Sequence, residues 1–251
     1  MSHTLLIKDK TIILAPVFTG VFFIFTFVKN LETMKKIFSV VLLLTFTLIF
    51  AQEKQPMFWQ DIQYFKKLDQ ENAPPKNSIL LVGSSSFTKW QDVADYFPGK
   101  TIINRGFGGS RLTDLNYFSE DLLSPYQPKQ IIIYCGENDF ADDATLKADV
   151  VVDRYKTFYK KIREKFPNIQ VDYISTKYSP SRENLWPQMK EANKKIEKFM
   201  KKEKNADFID ITKVMNDANG NVRKDLFIED MLHITPEGYS LWTKVMNPYM
   251  K

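Results

Sequence analysis

The stretch "SILLVGSSSF", Ser78 to Phe87, holds four apolar residues in a row, then a glycine, then three serines. An unbroken apolar run of this length, closed by a turn residue, fits a strand buried on both faces, as in a parallel sheet. The glycine allows a tight turn and serine suits the first position of a helix, so ten residues predict strand, turn and helix start.

The same grammar repeats along the chain. "KTIINRG", "QIIIYCG", "QVDYIST" and "ADFIDI" each resemble a buried strand, and helical spacing fills the stretches between, over Lys89 to Phe97, Arg111 to Leu123, Asp143 to Phe166 and Trp186 to Lys204. A polar, helix-compatible lead-in, "FWQDIQYFKKLDQ", precedes the first strand, and "TPEG" from Thr235 offers a cap and a first-turn proline for a last helix. Strands alternating with helices imply right-handed crossovers and helices on both faces of a parallel sheet. The expected fold class is therefore α/β: a flavodoxin-like three-layer α/β/α sandwich around a five-stranded parallel sheet of order 2-1-3-4-5. Such a sheet binds its ligand at the carboxyl ends of the strands, between the first and third.

Composition narrows the function. At 251 residues and 44% hydrophobic the chain can bury a full core. Of the net charge of +5, about +3 lies in positions 1–51, and the lysines near 194–202 read as a solvated helix face, so no nucleic-acid footprint is present. The single cysteine, Cys135, ends an apolar run; it permits no intrachain disulfide and reads as a small buried hydrophobe.

The N-terminal region calls for processing rather than folding. "MKKIFSVVLLLTFTLIFAQ", residues 34–52, has a lysine pair, an apolar stretch and Ala51 at a plausible cut point, the pattern of a secretory signal peptide. Residues 1–33 contain a second apolar stretch, Thr11 to Val28, and read either as a misassigned extension before a true start at Met34 or as a segment tethering the chain to a membrane. Residues 53–251 form the expected domain. The expected location is outside the cytoplasm, periplasmic or secreted, with no stable anchor if the signal is cleaved.

At the predicted strand ends stand "GSSSF" (Gly83 to Phe87), "NRGFGGS" (Asn104 to Ser110) and "GENDF" (Gly136 to Phe140). Each is a plain turn or cap when taken alone. The glycine-rich loop lacks the lysine and spacing of a nucleotide site, and no G-x-S-x-G elbow occurs. Near the C-terminus "EDMLHIT" places Asp230 three residues before His233, one turn apart if the segment is helical. Together these blocks offer a serine nucleophile, backbone and side-chain oxyanion donors, a base and an acid to orient it, the parts needed for acyl transfer.

As a set, the four blocks resemble those of the SGNH hydrolases, the GDSL-like lipases and acylhydrolases, over Ser78 to Lys251. By that resemblance Ser85 matches the nucleophile, Gly109 the backbone oxyanion donor beside Ser85 itself, Asn138 the side-chain donor, His233 the base and Asp230 its partner. The family's G-D-S reads Gly83-Ser84-Ser85 here, so the usual acid is missing and Ser84 and Ser86 stay open as alternative nucleophiles. The resemblance implies hydrolysis of a carboxylic ester without metal or organic cofactor, the substrate being a small molecule or a glycan ester with a short acyl group. A glycan O-acyltransferase and a non-catalytic glycan-binding domain are the alternatives. Trp90, Arg105, Arg182 and Trp186 are candidate substrate contacts, with local packing and ion pairing as the competing reading.

Overall fold

The computed structural model describes residues 6–7, 10–11, 35–36, 38–39 and 55–251. They fall into two units, Met1–Gln55 and Pro56–Lys251. In the first, Leu6–Ile7 pairs antiparallel with Lys10–Thr11, and residues 35, 36, 38 and 39 are helical. The remainder of the expected signal peptide, 34–52, and of the apolar stretch from Thr11 lies outside the described residues. Among those described, no helix is long and apolar enough to cross a membrane.

The second unit opens with helix α1 (Trp59–Glu71), which turns Ile62 and Phe65 inward. Five strands follow, β1 (Ile79–Gly83), β2 (Ile102–Gly106), β3 (Gln130–Tyr134), β4 (Gln170–Ile174) and β5 (Ala206–Ile209). They hydrogen-bond side by side in the order β2-β1-β3-β4-β5, all parallel. This is the 2-1-3-4-5 order expected from the sequence.

Alternation along each strand builds the three layers. Leu80, Val82, Ile131 and Ile133 face one apolar cluster, shared with α1, α4 (Leu112–Tyr117), α5 (Ser119–Leu123), α7 (Ala148–Lys165) and α8 (Trp186–Met200). Ile79, Leu81, Ile132 and Tyr134 face the other, shared with α2 (Ser85–Thr88), α3 (Val93–Tyr96) and α9 (Pro236–Met246). Both faces being covered, β1 and β3 are buried along their whole length, which is why they read as unbroken apolar runs.

Four helical stretches differ from their expected spans, the one from Trp186 simply ending at Met200 rather than Lys204. Lys89 to Phe97 is not one helix: Trp90 drops its indole fully into the core between the short helices α2 and α3. Arg111 to Leu123 breaks at Phe118, whose ring packs edge-on against Phe107. The helix expected from Asp143 begins at Ala148, because the Asp143 carboxylate accepts from the Thr145 N–H at 2.9 Å and holds a turn there.

Asp172 is fully buried in β4. It accepts hydrogen bonds from Gln130 Nε2, from Gln170 Nε2 at 2.5 Å and from the Asp207 N–H at 3.2 Å. Burial pushes its carboxyl up to about 6, against the glutamine hydrogen bonds and with a further rise from Asp207. A carboxyl raised in the folded state contributes stability below its unfolded value, about 3.9, and that contribution disappears as pH climbs through the folded value. Urea unfolding at about pH 4 and about pH 7 will therefore show the parent losing roughly 2 kcal/mol more stability than Asp172→Asn over that interval.

Candidate active site

Residues after β1, β2 and β3 meet at the carboxyl edge of the sheet, where the register sets Gly83 opposite both Gly106 and Tyr134. Gly83 adopts φ +152°, and a Cβ there would lie 2.0 Å from the Tyr134 carbonyl oxygen. Only glycine permits this approach, and it lets the Ser84 N–H donate to that same carbonyl at 2.9 Å. The chain then turns at once into α2, placing Ser85 at its first residue.

The three serines have different surroundings. Ser84 is fully buried and its Oγ has no hydrogen-bond partner. Ser86 is buried, and its Oγ accepts from Lys177 Nζ at 3.3 Å. Ser85 alone is half-exposed, with its Oγ 3.0 Å from His233 Nε2. His233 Nδ1 lies 2.5 Å from Asp230 Oδ2. An ionised carboxylate only accepts, so a neutral His233 donates from Nδ1 and presents the lone pair of Nε2 to the Ser85 hydroxyl.

The segment carrying Asp230 and His233 is not the helix that would bring them one turn apart. It is a tight turn between the bridged residues Phe227 and Ile234, with Met231 at φ +52°. Asp230 Oδ1 accepts from the N–H groups of Leu232 and His233, both at 2.9 Å, so the aspartate folds its own turn and then orients the imidazole with its second oxygen. Burial works to raise the Asp230 pKa, but the hydrogen bonds from the His233 ring and from these backbone groups outweigh it and hold the carboxyl at about 2.

The glycine loop after β2 is tied to the same turn. Gly83 O accepts from the Phe107 N–H at 2.9 Å and from Ser110 Oγ at 3.2 Å. Between them Gly109 stands exposed at φ +85°, a left-handed conformation that glycine adopts without strain. Ser110 O in turn accepts from Asn138 Nδ2 at 2.9 Å, joining this loop to α6 (Glu137–Asp142) after β3. Asn138 has a second amide hydrogen on the same nitrogen. Its oxygen accepts from Arg182 Nη2 at 2.8 Å, which fixes the orientation of the amide.

Sequence reasoning missed several residues that hold these loops. Asn104 Nδ2 donates to the carbonyls of Phe87 and Trp90, at 2.8 and 3.2 Å, pinning α2 to the end of β2. Buried Asp139 accepts from the Leu112 N–H at 2.9 Å and from Arg154 at 2.7 Å, joining α6 to α4. Lys177 and Glu137 are both fully buried and paired at 2.8 Å. The available signal was a charged residue directly after a buried strand, in "CGEND" and "ISTK".

The expected substrate contacts divide. Trp90 is fully buried and stacked on Tyr239 at 4.6 Å, so it is core and cannot reach a ligand. Arg105 is buried as well: it pairs with Asp69 at 2.5 Å, donates to Tyr126 at 2.7 Å and anchors α1 to the sheet. Strand alternation puts it on the α1 side, away from Ser85. Arg182 is committed to Asn138. Trp186 donates to Ser179 O at 3.0 Å and lines a cleft of about 320 Å³ with Tyr178, Pro180, Glu183 and Lys190, which Ser85 and His233 do not line.

Residues 77–241 match the GDSL-like Lipase/Acylhydrolase family. The chain belongs to this family. The match takes in every block gathered at the sheet edge, from the Ser85 turn to the Asp230–His233 turn. Solved structures share the fold of these acylhydrolases. A Streptococcus pneumonia protein provisionally described as a platelet activating factor is 19% identical, with TM-score 0.67, over 85% of this chain and 99% of that one. A GDSL-like lipase from Bacteroides thetaiotaomicron is 17% identical, with TM-score 0.65, over 75% and 96%. A carbohydrate esterase family 3 protein from Talaromyces cellulolyticus is 12% identical, with TM-score 0.52, over 68% and 95%. No curated protein matches the chain.

Gly83→Ala will force the Tyr134 carbonyl away and cost at least about 2 kcal/mol. Gly99→Ala, also at positive φ but with nothing within 4 Å of the added carbon, will cost about 1 kcal/mol. Denaturant midpoints of the two variants read the difference.

Proposed function

We propose that the protein is an exported serine esterase that removes short acyl groups from a carbohydrate or another polar carrier. The observation that carries the reading is the continuous hydrogen-bonded line from Ser85 Oγ through the His233 ring to Asp230. Ser85 attacks the ester carbonyl while His233 Nε2 takes its proton, and Asp230 stabilises the imidazolium that forms. The N–H groups of Ser85 and Gly109 and the amide of Asn138 receive the oxyanion. His233 then gives its proton to the departing alcohol, and water releases the acid from Ser85 by the reverse path.

The departure from G-D-S fits this scheme. The residue before the nucleophile, Ser84, is sealed in the core and does not touch His233, whose acidic partner comes from the Asp230 turn instead. Export is supported by the signal-like residues 34–52. The half-exposed serine suits a small acyl group on a soluble carrier.

The test is hydrolysis of p-nitrophenyl acetate, a longer p-nitrophenyl ester and acetylated oligosaccharides. Ser85→Ala and His233→Ala will lose about 10⁴-fold or more in kcat, to background. Asn138→Ala will lose about 10²–10³-fold. Equal turnover by parent and Ser85→Ala would overturn the reading.

The pH profile offers a second check. Because Asp230 is held at about 2, it stays ionised as pH falls to well below the working range of the enzyme. The acid limb of kcat/KM above about pH 4 then belongs to another group. Asp230→Asn will lower kcat about 10⁴-fold across that range and, by removing the charge that stabilises the protonated His233 ring, will move the limb to lower pH.

A further inference from the structure

The segment following β4 touches all three parts of the site. Lys177, fully buried, donates to Ser86 Oγ at 3.3 Å, to Tyr134 OH at 3.1 Å and to Glu137 Oε1 at 2.8 Å, so it reaches the nucleophile's turn and the start of α6 together. Four residues on, Ser181 donates its N–H and its hydroxyl to Met231 O, both at 3.0 Å, gripping the turn that carries Asp230 and His233. Arg182 then donates to Asn138 Oδ1 at 2.8 Å and faces Glu137 Oε2 at 3.7 Å. The two cations sit on either side of one buried carboxylate.

Burying this array is costly unless each charge is matched, and a core of apolar side chains could hold the same strands more cheaply. Burial lowers the Lys177 pKa, with the Glu137 carboxylate as the main opposing influence. The arrangement makes sense through what Arg182 does to Asn138. A guanidinium at Oδ1 withdraws electron density from the amide, making its N–H groups stronger donors, and fixes which end of the amide faces the Ser110 side.

We propose that Arg182 is a positioning residue for Asn138, with the buried Glu137–Lys177 pair holding Arg182 in place and coupling it to the Ser85 turn. It acts through Asn138 rather than on the substrate. The proposal rests on the esterase reading for its kinetic consequence and stands apart from that reading in its effect on the Asn138 amide.

The experiment compares the parent with Arg182→Ala, Glu137→Gln and Ser85→Ala in three measurements. In p-nitrophenyl acetate hydrolysis, Arg182→Ala will lose about 10–100-fold in kcat with KM within about twofold, because the lost interaction strengthens only in the transition state. Glu137→Gln will show a smaller loss in the same direction. Ethylguanidinium will restore Arg182→Ala saturably, whereas ethylammonium at equal ionic strength will not. The side-chain NH₂ resonances of Asn138, identified by their disappearance in Asn138→Ala, will shift in Arg182→Ala and move back with ethylguanidinium.

A purely structural Arg182 would lower the melting temperature and leave the rescue and the amide resonances unmoved, and that result overturns the proposal. So does a folded Arg182→Ala with kcat within twofold of the parent. Should parent and Ser85→Ala hydrolyse ester alike, the esterase reading fails on that control. The Asn138 resonances then decide the positioning claim alone.

Discussion

The backbone of Gly83 lies so near strand β3 that its single added carbon would collide with the Tyr134 carbonyl, and from this approach the rest of the site follows. It ends β1 in the same plane as β3, so that the turn into α2 starts at the sheet edge and Ser85 opens the helix over the crevice. The Gly83 carbonyl in turn fixes the glycine loop through Phe107 and Ser110, and Ser110 passes that constraint to Asn138. Backbone contacts supply the placement, which suits a site needing sub-ångström precision, since they are less free to rotate than side chains.

Around this backbone frame runs a second, electrostatic one. Glu137, Lys177, Asp139 and Asp114 are buried near the site and each is paired or hydrogen-bonded. Buried pairs contribute little net stability compared with well-packed apolar groups. Their concentration at the carboxyl ends of the strands marks one region where the molecule departs from the most stable solution, as functional sites do. The Asp230 turn applies the same economy of parts on the surface: one carboxylate closes the loop with one oxygen and aligns His233 with the other.

The five strands were legible because burial on both faces writes an unbroken apolar run, and Ser78 to Phe87 announced strand, turn and helix within ten residues. The strand order followed from general rules for parallel sheets. Helix ends were less legible. Trp90, Phe118 and the Asp143 turn each broke a periodic stretch, through ring packing in two cases and a side-chain hydrogen bond in the third. Asp230 and His233 were singled out correctly as a close pair, yet by way of a helix that does not form. Trp90 and Arg105 were misplaced because composition near a motif says nothing about which way a strand or turn aims its side chain.

By itself, then, the sequence determined the α/β architecture and the loops that carry the three serines, Asn138, Asp230 and His233, since these depend on local periodicity and turn chemistry. Only the tertiary structure decided which of three adjacent serines faces His233, and that Arg182, Glu137 and Lys177 form one buried array under Asn138. Those choices rest on contacts between residues 40 to 148 positions apart, whose partners are set by the crossing of strands and helices rather than by anything written next to them in the chain.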